Sequence, residues 1–397
     1  MDIIGRVRVE VTVVRPFKHE NLKVGSKHTY WKSVTTTVIG HRGLGMNRKV
    51  SNLQVGENTL LSFVTAANLG AEYVEFDVQM TKDMVPVLYH DWTVTETGLD
   101  IPVSSITLEQ FKSLSKIKSR GHSNGSQPTS PRLEQPRQLP VILPPASNLE
   151  VPLARPELLR RTSHNSESGS FKDNLPRLVR SNSLGAMSRM KALTEEADPA
   201  KMKGNGLGTI QAPFATLKDT FETVPPHIGF NIEVKYPMLD EAEDANIPLY
   251  AFEMNRFVDR ILKEVYDHDL THPNRNIIFS SFHPDICLLL NIKQPNYPVF
   301  FLSDAGSSVV ADRRCNSIQG AVRFATATDL LGIVAHSPPI VEAPNLIKAI
   351  KETGLLVFTY GADNNNVENA RLQRRHGVDA VIVDCVLAVR KGLQQAD

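Results

Sequence analysis

Away from one long stretch in its middle, the chain is written as short apolar runs separated by segments of helical periodicity. The runs are Thr37–Gly40, Tyr73–Val78, Phe230–Val234, Ile277–Ser280, Val299–Ser303, Gly332–Ala335, Leu355–Thr359 and Ala380–Val383. Each has the length and the β-branched or aromatic content of a buried strand. Helices are predicted between them at Asn58–Leu69, Leu249–Tyr266, Ala343–Glu352 and Val367–His376. Glu57-Asn58-Thr59 reads as a capped helix start, and Gly354 and Gly377 stand where helices stop. Eight strands, each followed by a helix or loop, predict an α/β fold: a closed parallel TIM (β/α)8 barrel. A doubly wound open sheet is the alternative, but no glycine-rich dinucleotide fingerprint follows the first strand. The run Val85–Tyr89 is left over. The polar turn Thr81-Lys82-Asp83 predicts that it folds back antiparallel on Tyr73–Met80.

Two segments break this rhythm. Arg6–Val13 alternates strictly, with Val7, Val9, Val11 and Val13 against Arg6, Arg8, Glu10 and Thr12. It predicts a half-buried strand within an N-terminal extension, residues 1–34, that reads as the remnant of a preceding module. Residues 115–208 hold ten prolines, many serines and Phe171 as the one aromatic. That composition buries too little to offset chain entropy and predicts a disordered insert in the barrel of residues 35–397. The insert carries 15 Lys/Arg against 8 Asp/Glu, whereas the whole chain is near neutral at +1. A basic insert therefore sits in an acidic body, and nucleic acid is not the default partner. Arg160-Arg161-Thr162-Ser163 and Arg180-Ser181-Asn182-Ser183 match acceptor strings for basophilic kinases, so a kinase or adaptor is expected there, although such strings also arise by chance. Cys287, Cys315 and Cys385 are odd in number and far apart, which argues against a disulfide framework or a zinc site and for a cytoplasmic protein. No apolar run reaches the length of a membrane span, and the charged N-terminus does not read as a signal peptide.

The chemistry-bearing residues gather at the C-terminal ends of the predicted strands, where barrel sites form. His41 and Arg42 follow the first strand, Glu75 and Asp77 lie on the second, His90 ends the hairpin return, and Glu233 and Lys235 lie on the third. Residues two apart on a strand share a face, so each pair points the same way. Glu75, Asp77 and Glu233 would make an all-oxygen site for a hard divalent metal, Mg²⁺ or Ca²⁺. Arg42 and Lys235 would neutralise phosphate oxygens. His41 and His90 would divide the acid and base work. Each pair alone is more often a solvated face or a surface ion pair; the ordered set, each member at the end of an apolar strand, is what carries weight. His283 and His336, at the ends of the fourth and sixth strands, are candidates to line a pocket or to be plain loop residues. Asp384, ending the last strand, is expected to be structural.

In order, Gly40-His41-Arg42-Gly43, Glu57-Asn58-Thr59, Glu75-Phe76-Asp77, Lys82-Asp83, Pro86-Val87, His90-Asp91 and Glu233-Val234-Lys235 resemble the glycerophosphodiester phosphodiesterase family from about Val38 to Arg390. The resemblance implies a TIM barrel with a segment inserted between strands two and three. It also implies metal-dependent hydrolysis of a glycerophosphodiester to an alcohol and sn-glycerol 3-phosphate. It makes His41 and His90 the acid/base pair, Glu75, Asp77 and Glu233 the metal ligands, and Arg42 and Lys235 the phosphate contacts. Glu57 would stand near the metal or substrate, or cap the helix.

Tyr30-Trp31-Lys32-Ser33, His41–Asn47, Ile210–Leu217 and Asn231–Pro237 are similar to the eukaryotic cytosolic branch that cleaves glycerophosphocholine. Fungal members of that branch carry SPX and ankyrin regions that are not evident in the short stretch before the first strand. The chain is therefore expected to be a fragment, a truncated gene product or a shorter paralogue. Tyr360 stands where the family often has tryptophan, and would still offer a choline cation an aromatic wall. The other readings are a lysophospholipase-D-like activity, which needs an apolar acyl groove, and a catalytically weak barrel that binds ligand while its insert recruits partners.

Overall fold

The computed structural model describes residues 11–24, 35–48, 53–96, 98, 100–117, 202–205, 209–210, 212–269 and 275–395. Eight strands close into a parallel barrel: β1 Thr37–Gly40, β2 Tyr73–Met80, β3 Gly229–Val234, β4 Ile277–Ser281, β5 Val299–Ser303, β6 Gly332–His336, β7 Leu356–Tyr360 and β8 Ala380–Val383. They follow chain order around the sheet, and β1 pairs with both β2 and β8, which closes it. Helices cover the outside, among them α1 Leu60–Asn68, α2 Leu217–Thr223, α3 Met254–Asp269 and α4 Pro284–Lys293. The closed TIM (β/α)8 barrel is thus as expected. So is the hairpin: Pro86–Leu88 runs antiparallel to β2, with Val78 opposite Leu88 and Met80 opposite Pro86.

Side-chain alternation divides each strand between two environments. On β2 and β3, Val74, Phe76, Val78, Phe230, Ile232 and Val234 point outward into the core shared with the helices. The barrel interior is filled separately by Ile39, Ile278, Phe300, Leu302, Val334, Phe358 and Ile382, with Phe300 and Phe358 stacked at 4.3 Å. These come from β1 and β4–β8. Apart from Tyr73, which packs on this cluster, the inward positions of β2 and β3 include Glu75, Asp77, Asn231 and Glu233, so one side of the barrel bore is polar. An apolar bore on one side and carboxylates on the other places reactive groups at one wall of the barrel mouth.

Two expectations change at the edges of the barrel. Most of the strand predicted at Arg6–Val13 lies outside the described residues, and Val11–Val13 carry no strand. From Val13 the chain is an irregular strap across α3 and α4. The Arg15 amide donates to Asn255 Oδ1 (2.7 Å), Asn255 Nδ2 donates to the Val13 carbonyl (2.8 Å), and the buried Lys293 ammonium donates to the Arg15 carbonyl (2.5 Å). Side chains of the barrel thus satisfy this backbone where a sheet neighbour would otherwise be needed. The insert predicted at 115–208, with both kinase strings, lies mostly outside the described residues. Its edges differ from expectation: Ser115–Ile117 complete a helix from Leu108, and Met202–Asn205 are fastened to the barrel. Among the described residues no helix is long and apolar enough to cross a membrane.

Candidate active site

The turn Gly40-His41-Arg42-Gly43 leaves β1 and doubles back under the start of α1. Arg42 adopts a left-handed backbone with φ 47°, and Gly43 follows with φ 89°. A Cβ on Gly43 would sit 2.4 Å from Ser62 Oγ and 2.8 Å from the Ser62 backbone, so glycine is required for this approach. The turn points the Arg42 amide at Glu75 Oε2 (2.8 Å) and buries its guanidinium beside Glu57 (3.1 Å) and Asp77 (3.4 Å).

The triplet Glu57-Asn58-Thr59 performs three tasks. Thr59 is the N-cap of α1 and forms a capping box with Ser62. Asn58, at φ 54°, exchanges two bonds with Asp77: Nδ2 donates to Oδ2 (2.8 Å), and the Asp77 amide donates back (3.2 Å). Glu57 takes no part in the cap. Its carboxylate accepts from Arg42 and from the Asn47 amide (2.6 Å), so the capping alternative for Glu57 is corrected in favour of a place behind the arginine.

Parallel register sets the acid cluster. Glu75 lies opposite Asn231, and Asp77 opposite Glu233. One oxygen each from Glu75, Asp77 and Glu233 falls within 4.8 Å of the others. Lys235, two residues beyond Glu233, reaches Glu233 (3.6 Å) and Asp77 (3.7 Å) and lies 4.9 Å over the ring of Trp92. Burial, then repulsion from Asp77 and Glu233, pushes the Glu75 carboxyl well above its ordinary range. Burial and Asp77 push Glu233 up to about 7. Asp77 goes the other way: burial opposes its charge, but His90, Arg42 and Lys235 together hold it below the usual range. Glu57, Glu75, Asp77 and Glu233 face Arg42 and Lys235, with His90 acting on Asp77 and the further carboxylates Asp91 and Glu241 acting on Glu57 and Glu233. Carboxyls pushed upward by burial and by one another, on an all-oxygen donor set, fit a hard divalent cation.

The two histidines stand on either side. His41 Nδ1 lies 2.7 Å from Asp384 Oδ1, and His90 Nδ1 lies 2.9 Å from Asp91 Oδ1. The other Asp91 oxygen accepts from the Gly204 amide (2.9 Å), so the C-terminal edge of the insert supports this second pair. His41, Arg42, Glu75, His90, Asn231, Glu233 and Lys235 all line one cavity of about 320 Å³. Asn231 Nδ2 is buried there with no hydrogen-bond partner among the described residues.

Residues 41–388 match the profile described as the glycerophosphoryl diester phosphodiesterase family. The chain belongs to this family. Its sequence is 45% identical over 402 residues to a glycerophosphocholine phosphodiesterase GDE1 of Eremothecium gossypii, covering 99% of this chain and 28% of that protein. The protein of the same name from Candida albicans is 43% identical over 397 residues, covering 100% of this chain and 32% of its own length. The chain therefore spans about three tenths of the length of these relatives. Among solved structures, a phosphodiesterase of Oleispira antarctica, determined with the product sn-glycerol-3-phosphate, superposes with a TM-score of 0.50 at 17% identity, covering 91% of this chain and 98% of that one. That likeness concerns the fold.

Within this member of the glycerophosphoryl diester phosphodiesterase family, the structure gathers Arg42, Glu57, Glu75, Asp77, His90, Glu233, Lys235 and His41 into one neighbourhood. Tyr360 and His336 also line the cavity, on its far side. His283 does not. It is the N-cap of α4, where Nδ1 accepts from the Asp285 amide (3.2 Å), and burial lowers its pKa to about 4. A histidine before Pro-Asp at a helix start satisfies an orphan amide, and that local chemistry outweighs its position at a strand end. The sequence reading also missed partners. Asp384 was expected to be structural, yet it holds His41. Asp304, after the Phe-Leu-Ser run of β5, lines the cavity and was not singled out. Its position at a strand end was the available signal.

Proposed function

We propose that this chain hydrolyses glycerophosphodiesters, glycerophosphocholine among them, to sn-glycerol 3-phosphate and the free alcohol. The observation that carries the reading is the cluster of Glu75, Asp77 and Glu233 beside Arg42 and Lys235, at the barrel mouth between two carboxylate-supported histidines. The names of the fungal relatives point to the same substrate.

Glu75, Asp77 and Glu233 would hold the divalent cation, Mg²⁺ or Ca²⁺, which when bound polarises a phosphoryl oxygen and offsets its charge. Arg42 and Lys235 contact the remaining phosphate oxygens. In each histidine Nδ1 is engaged by a carboxylate, so Nε2 exchanges the proton with the ligand. One imidazole takes a proton from the nucleophile while the other delivers one to the departing alkoxide. Asn231 Nδ2, buried without a partner among the described residues, donates to an oxygen of the bound phosphodiester. The free cysteines fit the cytoplasmic reading. Among the described residues the apolar pocket beside Lys235 measures about 30 Å³, too small for the acyl chain that the lysolipid reading needs.

The test is release of sn-glycerol 3-phosphate from glycerophosphocholine with Mg²⁺, with Ca²⁺ and with chelator. Metal-dependent release abolished by His41→Ala and Glu75→Ala is expected, and no release from any glycerophosphodiester by folded protein refutes the reading. A binding readout accompanies it. A divalent cation at a hundredfold excess over its dissociation constant should stabilise the fold by about 2.7 kcal/mol. Asp77→Asn should lose that gain.

A further inference from the structure

The cavity spans the barrel mouth, and its two ends differ in chemistry. The carboxylate cluster, Arg42 and Lys235 come from β1–β3 and the turns after them. The opposite end is built by Phe282 after β4, Asp304 after β5, His336 ending β6 and Tyr360 ending β7. In a closed ring of eight strands, β5–β7 stand across from β1–β3.

The far end holds an anion and aromatic faces. The Tyr360 hydroxyl donates to Asp304 Oδ1 (2.7 Å), and the Ser308 hydroxyl donates to Oδ2. Phe282 meets the Tyr360 ring edge-on at 5.8 Å, and His336 packs tilted against the same ring at 5.1 Å. Burial lowers the His336 pKa, so this imidazole is neutral at neutral pH. Among the described lining residues the only arginine and lysine are Arg42 and Lys235, both at the near end.

We propose that the Asp304–Tyr360–Phe282 end is the head-group subsite of the phosphodiester and selects a cationic amino alcohol over a neutral polyol. The assignment rests on the hydrolase reading for the identity of the ligand, and goes beyond it in naming what sets specificity. A quaternary ammonium donates no hydrogen bonds; it is held by a nearby negative charge and by aromatic faces. Asp304 supplies the charge, and each of its oxygens already accepts from a protein hydroxyl, which fixes the carboxylate against Tyr360 and leaves fewer acceptor positions for sugar hydroxyls. With its phosphate at Arg42 and Lys235, the ligand lies across the mouth and carries its positive end to this wall.

The experiment compares kcat/KM for glycerophosphocholine and glycerophosphoinositol in the intact chain and in Asp304→Asn. The expected result is a choline-over-inositol ratio that falls about tenfold or more, mainly through KM. An unchanged ratio overturns the proposal, as does an equal loss on both substrates, which would place the shared glycerol at Asp304. Should the variant fail to fold, calorimetric binding to the unaltered protein decides. Tetramethylammonium should bind better than the uncharged carbon isostere of choline, and equal binding overturns the proposal. Hydrolysis of neither diester would sink the hydrolase reading, while the binding comparison would still decide the subsite.

Discussion

Asp384 gives the sharpest test of how the site works. Its side chain is only 11% exposed, and Oδ1 lies 2.7 Å from His41 Nδ1. The same carboxylate accepts from Asn365 Nδ2 (2.8 Å), Arg48 Nη2 (3.3 Å) and the Met46 amide (3.2 Å). Burial alone would favour the neutral acid, but the bond from His41 and the charge of that ring, with Asn365 and Arg48, hold the carboxyl well below the ordinary range. Asp384 is therefore anionic wherever the enzyme would work. A positive charge arriving on His41 during proton transfer meets a fixed negative partner, and a charge-assisted bond of this kind is worth about 1.5–3 kcal/mol. Asp384→Asn keeps the volume and an acceptor but removes the charge. At about 1.4 kcal/mol per tenfold, kcat should fall roughly ten- to a hundredfold. KM should change little, because Asp384 is absent from the cavity lining. The assay is initial-rate release of sn-glycerol 3-phosphate, with a thermal melt on the same preparation. An unaltered kcat would refute the reasoning, and so would a loss of activity that simply follows a loss of folded protein.

Gly43→Ala would press a methyl into Ser62 at a backbone φ of 89°, costing about 1–3 kcal/mol. A melting temperature lowered by several degrees, with weakened activity as Arg42 shifts, is expected; an unchanged melt would show that the turn relaxes freely. His283 is buried with a folded pKa of about 4 against an ordinary 6.5, so the unfolded chain protonates first on acidification. Its contribution is full above pH 6.5 and lost as pH falls toward 4. His283→Asn retains a helix cap but cannot titrate, so the stability gap between the two proteins should narrow across that window. Parallel stability curves would exclude this. Lys293, fully buried, joins the Arg15 carbonyl to Asp259 (2.9 Å). Lys293→Met should cost about 1–3 kcal/mol and speed proteolysis around Arg15. Cleavage at the unaltered rate would mean the strap is held elsewhere.

Much of this architecture was legible in one dimension. Eight apolar runs, each long enough for one buried strand and set apart by helical periodicity, predict a barrel because alternation and burial are local properties of the chain. The same alternation put Glu75 with Asp77, and Glu233 with Lys235, on common faces before any fold was known. What the chain could not show was which faces meet. The mutual repulsion of the carboxyls depends on β2 and β3 pairing in the register that sets Asp77 beside Glu233. The partnership of His41 with Asp384 spans 343 positions and exists only because the barrel closes β1 against β8. Strand-end position alone put His283 and His336 on equal terms. The fold separated them, because one ring answers an unpaired helix amide and the other packs on Tyr360 across the cavity. Residue chemistry and spacing are written locally, whereas charge balance, desolvation and the shape of a cavity are sums over groups that only tertiary packing brings within a few ångströms of one another.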